Sequence, residues 1–199
     1  MPLNRHVKAT VFAVTLLLHA TSGAMTKEEE AKIIKDDQAT WMKSTMIVDR
    51  FVQPPANWQR IDDPDLNITL YFPCEAVKKV DDSVSYSCAF EQHSYSATIS
   101  RGDFGWPNSN QIRMAGQTYQ VRKRFQDAFG EPVVTTPIAR ISYAKAALGR
   151  QEKTTSPKLD VIMRTLFFPT ITMTLTVGAK SGELPEDAKT FFNSVQVIK

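Results

Sequence analysis

The sequence predicts an α+β domain, an antiparallel β-sheet with helices packed on one face. Three observations carry that expectation. Apolar and polar residues alternate through Ile68-Thr69-Leu70-Tyr71-Phe72 and strictly through Ile171-Thr172-Met173-Thr174-Leu175-Thr176-Val177, the pattern of strands with one buried and one wet face. Apolar residues return at helical spacing at Met114, Val121, Phe125 and Phe129, with Gly130 as a stop. Near the end, Pro185, Glu186 and Asp187 suit a first helical turn, and Ala188, Phe191 and Phe192 can bury one face. At 199 residues, 42% hydrophobic and 23% charged, the chain can bury one core and is no collagen, coiled-coil rod or polytopic membrane protein.

Residues 1–24 read as a secretory signal peptide. Arg5 and Lys8 precede an apolar run from Ala9 to Ala20, and Ser22-Gly23-Ala24 offers small residues to a signal peptidase, with cleavage expected after Ala24. The run falls short of the about 20 apolar residues that cross a bilayer and contains His19, so no stable transmembrane span is expected after cleavage. The expected localisation is periplasmic or secreted. The net charge of +3, less Arg5 and Lys8, leaves +1, which gives no electrostatic pull towards nucleic acid. The one basic cluster, Arg122-Lys123-Arg124, points in three directions around a helix and forms no patch.

Residues 25–55 form the expected N-terminal helical segment. Thr26-Lys27-Glu28-Glu29 is a capping box, Ile34, Trp41 and Val48 fall roughly on one stripe, and Pro54-Pro55 ends the run. The stripe is a candidate partner-binding face. The polar face is acidic, which argues against a membrane surface and for a helix packed on its own domain or a semi-flexible leader.

Residues 56–199 are the expected α+β domain. After Trp58 come strands at Ile68 to Phe72, at Val84, Tyr86, Cys88 and Phe90, and, beyond a turn at Gln92-His93, at Tyr95, Ala97 and Ile99. The loop from Arg101 to Asn108 carries Phe104 and Trp106, a candidate ligand groove. A central helix from Gln111 to Phe129 follows, then strands at Ile138 to Ala146, Leu159 to Phe168 and Ile171 to Val177. Phe168-Pro169-Thr170 provides a tight connection, and Val195 to Ile198 closes the sheet.

Cys74 and Cys88 are the chain's two cysteines. In an oxidising compartment they read as a structural disulfide, because they lack the C-x-x-C spacing of a redox dithiol. His93 is the only histidine after cleavage, so a multi-histidine metal site is excluded and a Ser-His-acid triad would have to use it. On a hairpin turn it is expected to be exposed and idle. Asp62-Asp63-Pro64-Asp65-Leu66-Asn67 lacks the glycine and the late glutamate of a calcium loop. No glycine-rich phosphate cradle occurs, and the glycosylation sequon Asn67-Ile68-Thr69 falls against a strand, where chance explains it.

Asn67-Ile68-Thr69-Leu70-Tyr71-Phe72-Pro73, the hydrophobic hairpin from Phe168 to Val177, and the ending Asp187-Ala188-Lys189-Thr190-Phe191-Phe192-Asn193-Ser194-Val195 together resemble small exported proteins of the PsbP/DcrB-like α/β sandwich group. In that group a strand ends in Phe-Pro, often followed by Gly where this chain has Cys74, and the chain closes with a helix reading Ala-x-x-Phe-x-x-Ser. The resemblance covers roughly Trp58 to Lys199. It implies a layer of helices on an antiparallel sheet and carries over no catalytic residue. The expected function is thus an exported, non-catalytic accessory or binding protein of the periplasm or envelope, with no cofactor or metal and an envelope or periplasmic protein as candidate partner. The alternatives are a secreted hydrolase using His93 and an adaptor recruited through the N-terminal helix.

Overall fold

The computed structural model describes residues 26–101, 134–144, 146, 148–157, 159–179 and 184–197. Helix α1, Lys27–Lys43, is followed at once by strand β1, Thr45–Val48. Nine further strands follow: β2 (Gln59–Asp63), β3 (Ile68–Phe72), β4 (Val77–Val80), β5 (Val84–Phe90), β6 (His93–Arg101), β7 (Val134–Ser142), β8 (Leu148–Thr155), β9 (Asp160–Phe167) and β10 (Ile171–Ala179). A short helix α2, Ala188–Asn193, and strand β11, Gln196–Val197, complete the described chain.

The strands build two sheets. One has eight strands in the order β1-β7-β8-β9-β10-β6-β5-β4, and the other three, β11-β3-β2. All pairs are antiparallel except β1 on β7, which makes the large sheet mixed. The expected α+β domain with helices on an antiparallel sheet is therefore corrected to a mostly β, two-sheet structure. Period-two patterning sets which residues share a face but not what lies against that face, and here a second sheet covers much of it.

The core lies between the sheets. Ile68, Leu70 and Phe72 of β3 pack with Tyr95, Ala97 and Ile99 of β6 and Met173, Leu175 and Val177 of β10 in one buried cluster. The side chain of Phe191 on α2 enters the same cluster, its ring edge-on to Phe72 at 5.2 Å and to Tyr95 at 5.4 Å between centroids, the geometry aromatic quadrupoles prefer. The terminal helix is shorter than expected, beginning at Ala188 after a turn closed by Ala188 N–H donating to the Pro185 carbonyl at 3.2 Å.

Three further expectations are corrected. The threonines of β10 do not face water, since Thr172, Thr174 and Thr176 are as buried as their apolar neighbours. The N-terminal helix stops at Lys43, and Val48 lies in β1; the run Met46-Ile47-Val48 has two β-branched residues, which favour extended backbone over helix. The β5–β6 turn is Glu91-Gln92, so His93 opens β6 instead of sitting in the turn. Glu91 takes the left-handed conformation, φ 54°, that two-residue hairpins require. The central helix expected from Gln111 to Phe129 lies outside the described residues.

Candidate functional site

Two clusters of polar side chains stand out, one at the end of β2 and one around the middle of β9. Asp63 ends β2 and is buried, 3% exposed, which brings a carboxylate from the small sheet against the large one. Tyr86 of β5 donates its hydroxyl to Asp63 Oδ2 at 2.5 Å, and Lys78 of β4 donates Nζ to the same oxygen at 3.0 Å. The backbone N–H of Leu66 donates to the other oxygen at 3.2 Å, closing the turn into β3. Burial of Asp63 opposes its charge, but the Tyr86 hydroxyl and the Lys78 ammonium outweigh it and hold the carboxyl below its ordinary value. Burial and the hydrogen bond to Asp63 push the Tyr86 hydroxyl up. Lys78, bonded to Tyr86 and Asp63, is pushed up to about 12.

This triad sits beside the disulfide. Cys74, in the β3–β4 connection, is bonded to Cys88 of β5, with 6.0 Å between Cα atoms across a separation of 14 residues. The expected pairing is thus present. It ties the chain leaving the small sheet to the large sheet two residues from Tyr86.

The second cluster surrounds Arg164, which β9 places among apolar neighbours. Its Nη2 pairs with Asp49 Oδ2 at 2.8 Å, just past β1. Nε and Nη2 donate to Gln151 Oε1 of β8 at 2.9 and 2.6 Å, and Nη1 donates to Asn193 Oδ1 of α2 at 2.6 Å. The Phe192 ring lies 5.0 Å from the guanidinium carbon. Burial pulls Arg164 below its ordinary value, and the Asp49 charge resists that pull. Tyr143, its hydroxyl 2.7 Å from the carbonyls of both Asn193 and Val195, and Tyr95, donating to Asp187 at 2.6 Å, fasten the C-terminal segment further. Burial raises both phenols.

The chemistry of these clusters is that of ties between elements. Asp63, Tyr86 and Arg164 are each no more than 4% exposed. His93 is half-buried, opposite Phe90 in the β5–β6 ladder. Among the described residues no group of three or more His, Cys, Asp or Glu side chains is placed to hold a metal ion, and no helix is long and apolar enough to cross a membrane.

Of the residues singled out from sequence, only Cys74 and Cys88 are brought together. Phe104 and Trp106 lie outside the described residues. Ile34 and Trp41 lie on α1, with their side chains outside the described set, and Val48 is 72% exposed on β1. Sequence reasoning missed Asp63, Lys78, Tyr86 and Arg164. The available signal was a lone arginine inside the apolar run Val161-Ile162-Met163-Arg164-Thr165-Leu166-Phe167, since a charge on a buried strand demands a buried partner.

The surface carries the remaining features. Met46, Ile47 and Val48 on β1 with Phe51 beyond it, Val77 and Val80 on β4, and Phe90 at the β5–β6 hairpin are the exposed large apolar side chains among the described residues. β1 and β4 are the two edges of the large sheet. No protein-family model and no curated protein sequence matches this chain.

Proposed function

We propose that the chain is an exported, non-catalytic binding or accessory protein of the periplasm or cell envelope. The observation that carries this reading is the inward placement of the acid–base groups: Asp63, Tyr86 and Arg164 are spent on holding strands and α2 together. Five of the exposed large apolar side chains, Met46, Ile47, Val48, Val77 and Val80, sit on the edge strands β1 and β4, where proteins meet other proteins. The disulfide, which persists in oxidising compartments and is rare in the cytosol, supports export.

The test places a photo-crosslinking residue singly at Phe51, Val77, Val80 and Phe90 in the full chain, expressed in the cells that make it. The reading expects a discrete adduct from at least one position, containing one identified envelope protein. It is overturned if every position yields no adduct while a hydrolase activity of the purified protein disappears in His93→Ala.

A further inference from the structure

We draw no further inference here: the strongest candidate, the face of the large sheet turned away from the core, where the hydroxyls of Ser96 and Thr98 on β6 and of Thr172 and Thr176 on β10 are buried without a hydrogen-bond partner among the described residues, carries nothing because nothing among those residues shows what covers it.

Discussion

Asp63 shows how much one residue can join: a single carboxylate fixes the turn after β2 and anchors Tyr86 and Lys78 across the sheets. Because the folded chain holds this carboxyl below 3.8, folding favours its ionised form. That contribution is complete above 3.8 and drains as pH falls through the lower folded value. Asp63→Asn is therefore expected to destabilise the protein at neutral pH and to flatten the acid limb of its pH–stability curve, read by urea melts over a pH series. Tyr86→Phe removes the hydroxyl from a buried acceptor and should cost about 1–3 kcal/mol. Arg164 makes a sharper case. Asp49→Ala leaves a buried guanidinium without its counter-charge, and such losses run to about 3–5 kcal/mol, whereas replacing both Asp49 and Arg164 by apolar residues of similar volume should cost less than the single change; equal or larger loss in the double variant would contradict the pairing. At Gly149 an added Cβ would collide with the Ile141 carbonyl and stand 3.0 Å from the Ile141 and Leu166 side chains. Gly149→Ala is accordingly expected to lower the melting temperature by the equivalent of about 1–3 kcal/mol.

At the scale of elements, the Cys74–Cys88 bond closes a loop spanning the β4 edge. Closing a loop of about 15 residues is worth about 3 kcal/mol in the chain-entropy picture. Cys74→Ser with Cys88→Ser should therefore lower the unfolding free energy read from urea melts by that amount while leaving β10, on the far side of β6, protected against hydrogen exchange to within the same loss. Loss of protection confined to β4 and β5 would mean that the bond staples only that edge. Which elements the sequence revealed follows from the same physics. The strands at Ile68–Phe72, Val84–Phe90 and Ile171–Ala179 alternate cleanly and were legible. β8, Leu148–Thr155, was not, because Arg-Gln-Glu-Lys hides its pattern: Arg150 pairs with Glu152 on one face, and Lys153 with Asp160 on the other. β4 is short and half lysine. β1 was hidden by the helix before it, since Ile34, Trp41 and Val48 fit one helical stripe only if the helix does not end at Lys43.

For the whole molecule, the error in fold class has one physical origin. Alternation in β10 located two faces, but Thr172, Thr174 and Thr176 are 5%, 8% and 2% exposed, so polar residues on a strand did not signal water. The second sheet was equally silent: the strands at Ile68 to Phe72 and Val195 to Ile198 were legible, but β2 is short, and nothing in the sequence set the pairing of β3 with both β2 and β11 apart from the large sheet. The disulfide was legible from two cysteines and a leader-like start; the Asp63 and Arg164 ties depend on three-dimensional placement and left only the lone arginine as a clue. The account joins a disulfide-stapled two-sheet protein to an exported binding role. The most direct test of that claim is intact-mass spectrometry of the protein from its own cells, trapped with N-ethylmaleimide before and after reduction. The account predicts a chain lacking residues 1–24, two hydrogens light, with no adduct before reduction and two after it. A chain that keeps residue 1 and takes up two adducts without reduction would contradict it.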